Sequence, residues 1–356
     1  MSHTKLGTRL CELVGIEYPI VSTGMGYVSN ADLAGAVSEA GGLGVVAAAM
    51  MDLHELETAI QSVKDRTDKP FGVNIRSDAP DLEDRARLMI DGGVKVASFA
   101  LAPSRQIMET LKEAGVICIP SVGARRHAEK VAGWGADAVI VQGGEGGGHT
   151  GPVPTSLLLP QVVDSVDIPV VAAGGYFDGR GLVSALAYGA CGVAMGTRFM
   201  LTQESPVPET MKREYLNYGV TDTVVTDQID GHPHRVIRTE FIDRLLSNGQ
   251  IRGVVSAAEN AARFRRLAGR SWSGLVRQGM VLRKEHGYSL RQLVMAANAP
   301  MLCRAAMVDG RTDVGVMSSG QVVGLISDIP TCADLLGRIM REAEVAAAQF
   351  GWIGVQ

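Results

Sequence analysis

Short, β-branched apolar runs recur through the first part of the chain, each followed by a longer stretch with helix-like patterning. The runs fall at 19–24, 43–49, 71–75, 95–101, 116–122, 138–142, 169–173 and 192–195. Each is brief, continuous and bounded by Gly, Pro or polar residues, as strands buried on both faces are. Segments such as 30–40, 53–63, 105–114 and 124–134 predict the intervening helices. Asn30 and Ser104 stand where side-chain caps start a helix, and Gly115 and Gly135 where a left-handed residue ends one.

Eight strands alternating with helices imply parallel pairing through right-handed crossovers, and eight is the number that closes a barrel. An open, doubly wound sheet is the competing arrangement. The expectation is an α/β protein, a (β/α)8 TIM barrel over 1–202, with an inserted, smaller α-rich lobe over 203–310. The rhythm breaks after Met200, where Pro206 and Pro208 precede a helical stretch and 222–238 reads as a hairpin around Asp230-Gly231. The segment 311–356 returns to the barrel, with 330–350 helical.

Composition narrows the partners. A hydrophobic share of 46% over 356 residues supports a large core. A net charge of −4 argues against a general polyanion-binding surface, and 5% aromatics against a single-stranded nucleic-acid platform. No apolar run reaches the ~18 residues of a membrane span, and the N-terminus lacks a signal pattern. The five cysteines form no CxxC pair, as expected of buried thiols in a reducing compartment. A soluble, cytoplasmic protein without nucleic-acid or membrane partners is expected, and a homo-oligomer is compatible with the sequence. Against this acidic background, 251–304 carries ten basic residues and two acids. That excess reads either as a solvated helical face or as a landing site for an anionic substrate, with Arg265 and Arg266 at its centre.

Barrel active sites lie at the C-terminal ends of the strands, where the residues suited to chemistry collect. The first strand runs into Gly24-Met25-Gly26, the third ends at Asn74, and the fourth at Ser98. The sixth continues as Gln142-Gly143-Gly144-Glu145-Gly146-Gly147-Gly148-His149. The last two end in Gly174-Gly175 and in Ala194-Met195-Gly196-Thr197, a candidate phosphate cradle. Asn74 and Gln142 offer donors and acceptors to the edge of a flat ring, and glycines leave room for one. His149, whose side chain titrates near neutrality, is the candidate base. Glu145 could orient His149 or substrate, and Tyr176 could line the pocket. His232 and His234 carry no metal-ligand pattern and read as a surface turn, so no metal is expected. A Schiff-base lyase needs a lysine at a strand end, and Lys95 starts its strand instead.

The combination of Gly24-Met25-Gly26, Phe71-Gly72-Val73-Asn74, Gln142-Gly-x-Glu145-x-Gly147-Gly148-His149, Ala172-Ala173-Gly174-Gly175 and Met195-Gly196-Thr197 resembles the nitronate monooxygenase (2-nitropropane dioxygenase-like) family. The resemblance implies an FMN-containing barrel in which Asn74, Gln142, Gly147, Gly175 and 194–197 hold the cofactor and His149 is the catalytic base. Ser319-Gly320-Gln321 is similar to a family segment near the cofactor. The segments 235–239, 295–301 and 318–326 are most similar to flavin dehydrogenases of steroid ring catabolism, which act on hydroxylated, ring-bearing acyl-CoA thioesters. The expected activity is therefore FMN-dependent dehydrogenation or reduction of a CoA thioester. NAD is a candidate electron partner, although no Gly-x-Gly-x-x-Gly marks a dedicated site for it. The alternatives are nitronate oxidation with O2 and NADH:quinone reduction.

Overall fold

The computed structural model describes residues 7–100, 103–247, 290–349 and 351, with the backbone alone for 290–298. Eight parallel strands close a barrel in sequential order: β1 (Ile20–Ser22), β2 (Leu43–Ala47), β3 (Phe71–Arg76), β4 (Val96–Ala100), β5 (Ile117–Val122), β6 (Val139–Gln142), β8 (Val170–Ala173) and β9 (Gly192–Met195). Closure is made by β1 against β9, with Val21 opposite Ala194, and this excludes the open doubly wound sheet. All eight runs read from the hydrophobic pattern are strands, differing only at their ends. The second stops at Ala47 because Ala48–Met50 coils into a 3-10 turn.

The alternation within each strand sorts side chains into two layers. Val21, Val45, Val96, Ile119, Ile140, Val171 and Ala194 fill the barrel, closed below by Leu10 and Val14 of α1 (Arg9–Val14). Ile20, Val46, Val73, Ala97, Val139 and Val193 face the surrounding helices. The same alternation carries Asn74, Ser98 and Gln142 to the barrel's mouth, in line with inward-facing residues two positions earlier. Polar side chains thus cover an apolar barrel at the end where chemistry is expected.

The helix signals hold. Asn30 accepts from the Leu33 N–H at the start of α2 (Ala31–Glu39), and Ser104 from the Ile107 N–H at the start of α5 (Arg105–Glu113). Such caps stabilise a helix by about 1 kcal/mol each. Gly115 and Gly135 have φ of 81° and 90°.

A three-stranded sheet, two helices and a crossing segment build the cover of the mouth. The hairpin of β10 (Thr223–Thr226) and β11 (His234–Ile237) accepts a third antiparallel strand, β7 (Gly148–His149), which departs from the barrel after β6. With α11 (Glu240–Ser247) and α12 (Leu290–Met307), the hairpin encloses a small second core of Ile229, Val236, Ile242, Leu302 and Val316. The chain then crosses back over the mouth, Ser318 bridging to Val236, before α13 (Cys332–Gln349) packs on α2 and on α8 (Gly179–Ala187). Arg198, 2% exposed in α9 (Thr197–Met200), ties this return to the barrel through a 2.9 Å ion pair with Asp328. Much of the lobe expected over 203–310, including Arg265 and Arg266, lies outside the described residues. No helix among the described residues is long and apolar enough to cross a membrane. All five cysteines are free.

Candidate active site

The barrel mouth is walled by backbone where a flat ligand would need space. A Cβ on Gly24 would lie 2.3 Å from Asn74 Cβ, so the turn after β1 rests directly on Asn74. Asn74 is buried and donates from Nδ2 to Ser98 Oγ at 3.0 Å, a contact that fixes its amide plane. Across the mouth, Gly174 and Gly175 after β8 have φ of 95° and 84°, a conformation that L side chains avoid. Thr197, after β9, accepts a 3.0 Å bond from the Gly320 N–H, and the Gln321 N–H donates to Glu145 O at 3.0 Å. The Ser319-Gly320-Gln321 segment therefore clamps the glycine loop against the end of β9.

The structure adds contacts to three of the expected site residues. Gln142 does not simply face a ligand: its Nε2 donates to the His149 carbonyl at 2.8 Å and holds the loop that carries His149. Glu145 is engaged away from His149. Its Oε2 accepts from the N–H and hydroxyl of Thr155, at 2.9 and 2.7 Å, and so caps α7 (Thr155–Val163), whose own N-cap, Pro154, has no side-chain acceptor. Met195 belongs to the layer between barrel and helices, so strand alternation leaves only its backbone at the mouth. Tyr176 is buried, and burial followed by the charge of Glu145 pushes its phenol far above the ordinary range. It lines a cavity of about 300 Å³ beside the β8 turn, together with Glu145, Gly174, Gly175 and Gln321.

His149 lies in β7 opposite His234, and its side chain is 58% exposed. Its Nε2 stands 2.5 Å from Oδ2 of Asp230, whose side chain is only 9% exposed. Burial raises the Asp230 carboxyl, but the hydrogen bond from His149 and the nearness of both the His149 and His234 rings outweigh it and hold the group far below the ordinary carboxylate range. His234 is buried rather than in a surface turn. Its Nε2 is 2.9 Å from Ser318 Oγ, and its Nδ1 is 3.6 Å from Asp230 Oδ2. His149, Asp230 and His234 bring one ligand-type atom each within 4.8 Å. The 2.5 Å separation is that of a hydrogen bond, whereas two ligands on a zinc ion at about 2.0–2.1 Å stand roughly 3.3 Å apart.

Asp230 and Ser318 are the functional candidates that strand-end reasoning misses, because both come from the cover and not from the barrel. The available signal is the Asp230-x-His232-x-His234 spacing, which sets two polar side chains four residues apart across a Gly231 turn. Arg235 completes the junction, its guanidinium donating to the Gly144 carbonyl at 2.8 Å and to Thr223 Oγ1 at 2.9 Å.

Comparison with known proteins agrees with this architecture. The nitronate monooxygenase family model matches residues 7–342. The chain is 57% identical over 338 residues to a Rhodococcus jostii protein named (3aS,4S,5R,7aS)-5-hydroxy-7a-methyl-1-oxo-octahydro-1H-indene-4-carboxyl-CoA dehydrogenase, covering 95% of this chain and 96% of that one. A Mycobacterium tuberculosis protein of the same name is 56% identical over 342 residues, with the same coverage. Among solved structures, FabK from Thermotoga maritima superposes with a TM-score of 0.78 at 35% identity, covering 98% of this chain and 99% of that one. The closed barrel, its glycine-walled mouth and these matches make the chain a member of the nitronate monooxygenase family and a flavin-dependent oxidoreductase.

Proposed function

We propose that the protein is an FMN-dependent dehydrogenase of a CoA thioester whose acyl part is a hydroxylated ring system, as in steroid ring degradation, with His149 as its catalytic base. The carrying observation is the histidine paired to a buried carboxylate at a glycine-walled barrel mouth. Identity of 57% to the R. jostii dehydrogenase supports the substrate class.

The donor set supports FMN as the flavin. Gly24, Met25, Gly147 and Gly148 would border its ring, and Asn74 presents an amide that is held by Ser98. Gln142 acts on the cofactor side by ordering the glycine loop. Backbone N–H groups at Gly174, Gly175, Gly196 and Thr197 would take the phosphate, the place where barrels often bind one. Ala194 and Met195 contribute only the strand that aims this turn. When bound, the flavin supplies two-electron redox chemistry. His149 takes the proton that leaves the substrate, or returns it in the reverse direction, and its exposed ring passes that proton to water. NAD is the proposed second electron partner, using the open face of the mouth in turn with substrate. Free, mostly buried cysteines support a cytoplasmic setting. The cationic segment around Arg265 and Arg266 supports binding of the phosphorylated CoA tail.

Anaerobic titration of the yellow protein tests this reading. Bleaching by NADH or by a hydroxyacyl-CoA, and not by a nitroalkane, is expected. Bleaching by nitronate alone would replace the dehydrogenase with a nitronate monooxygenase.

A further inference from the structure

We infer that Asp230 is a positioning residue for His149: it fixes the imidazole with its proton on Nε2 and leaves Nδ1 as the atom that exchanges a proton with substrate. The inference rests on His149 being the base proposed above, and adds which nitrogen acts and what selects it.

The selection follows from the two carboxylate oxygens. Oδ1 of Asp230 accepts from the His232 backbone N–H at 3.1 Å, and Oδ2 faces His149 Nε2 at 2.5 Å. An ionised carboxylate only accepts, so the ring nitrogen facing it must carry the hydrogen. The second nitrogen, Nδ1, is then a lone-pair acceptor on a side chain that is 58% exposed at the mouth.

The surroundings keep the carboxylate in place. Asp230 sits just before the Gly231 turn, closed by a 2.9 Å bond from the Gly231 N–H to Asp227 O. Strand β11 pairs with β7, so the turn and His149 are held in one register, His234 opposite His149. The His234 ring stands 5.0 Å from that of His149 at 54° and is braced by Ser318 on its far side. Its buried Nδ1 has no hydrogen-bond partner and faces Asp230 Oδ2, which closes the other flank of the carboxylate.

In the reaction, a substrate proton moves to the Nδ1 lone pair; the Nε2–H bond is unchanged, and Asp230 stays ionised. The positive charge gained by the ring stands beside the Asp230 carboxylate, 2.5 Å from Nε2. No proton has to pass to the carboxylate.

The test reads the tautomer directly. The titratable groups facing the pair are His232 and His234 on the hairpin and Cys303 of α12, whose thiol feels the Asp230 charge. Nitrogen-15 NMR of histidine-labelled, flavin-loaded protein at about pH 8, where histidines are ordinarily neutral, is expected to show His149 protonated at Nε2 and bare at Nδ1. The opposite pattern overturns the inference. In an Asp230→Asn variant, the amide oxygen must still accept from the His232 N–H, so its NH2 group turns to His149 Nε2. The tautomer should reverse, and kcat should fall roughly 10²–10⁴-fold with KM within about threefold of wild type. Flavin absorbance reports whether the variant is folded. An Asp230→Asn enzyme with unchanged kcat or an unchanged tautomer also overturns the inference, and the wild-type spectrum decides if that variant does not fold. Full activity in His149→Ala would instead remove the base itself, an outcome separate from the tautomer.

Discussion

Gly24 and Asn74 lie so close that the smallest side chain on the glycine would occupy the space of the asparagine's Cβ, 2.3 Å away. The turn after β1 and the end of β3 therefore form one surface. A Gly24→Ala change forces Asn74 off its 3.0 Å bond to Ser98. Overpacking of this kind costs about 1–3 kcal/mol. The variant is expected to fold with a lowered melting temperature and to bind FMN at least tenfold more weakly, measured by flavin fluorescence on dilution.

A His149→Ala variant should keep its yellow colour and lose turnover. Removal of a positioned base typically costs 10²–10⁴-fold in rate. Because the change also leaves the buried Asp230 carboxylate without its 2.5 Å partner, the melting temperature should fall, while flavin absorbance reports that the variant is folded. Stopped-flow reduction of the flavin by acyl-CoA substrate measures the loss; a variant reduced at the wild-type rate removes His149 from the reaction.

The return of the chain to the barrel depends on charge. Asp328 joins Arg338 and the buried Arg198, and its carboxyl is held below the ordinary range by the Arg338 hydrogen bond, against burial, with Arg198 assisting. A carboxyl depressed by folding stabilises above its unfolded value, near 3.9, and that contribution is lost as pH falls through the folded value. Asp328→Asn should destabilise by about 2 kcal/mol at neutral pH, since the buried Arg198 loses its charged partner, a loss discounted from the full buried-pair cost because Asp328 is 38% exposed. The gap to wild type should close below about pH 4. Denaturant unfolding at the two pH values checks both the size and the sign.

Glu145→Gln tests whether that acid serves structure or substrate. An amide can still accept from Thr155 with its oxygen, so helix α7 should be weakened by no more than about 1 kcal/mol. Glu145→Ala leaves the Thr155 N–H and hydroxyl without that acceptor. Its larger loss of stability, with KM for acyl-CoA changing in step with flavin occupancy, is the expected result. A KM change at full occupancy in Glu145→Gln would return Glu145 to the substrate.

The barrel is legible because its strands are apolar along most of their length and its helices start or stop on Asn30, Ser104, Gly115 and Gly135, all local signals. The mouth was legible in part, since Asn74, Ser98 and Gln142 each end a recognisable strand. What each side chain does there was not. Gln142 and Glu145 both bond within the structure, to His149 O and Thr155, at contacts set by loop packing that no periodicity encodes. Asp230 was hidden for a different reason. Strand β7 is two residues long, too short to leave a pattern, so nothing local announced that the hairpin would pair with the glycine loop.

That short strand also limits how the protein can be rebuilt. Its pairing places His149 and Asp230 on chain segments some eighty positions apart, yet within one hydrogen bond. The glycine loop and the hairpin are consequently a single interchangeable cassette. A chimera that exchanges only the hairpin with a distant relative carries the nucleus of one site and the support of another. Grafts should work when both pieces travel together with the Ser318 crossing, and recombination breakpoints within this family should avoid separating them.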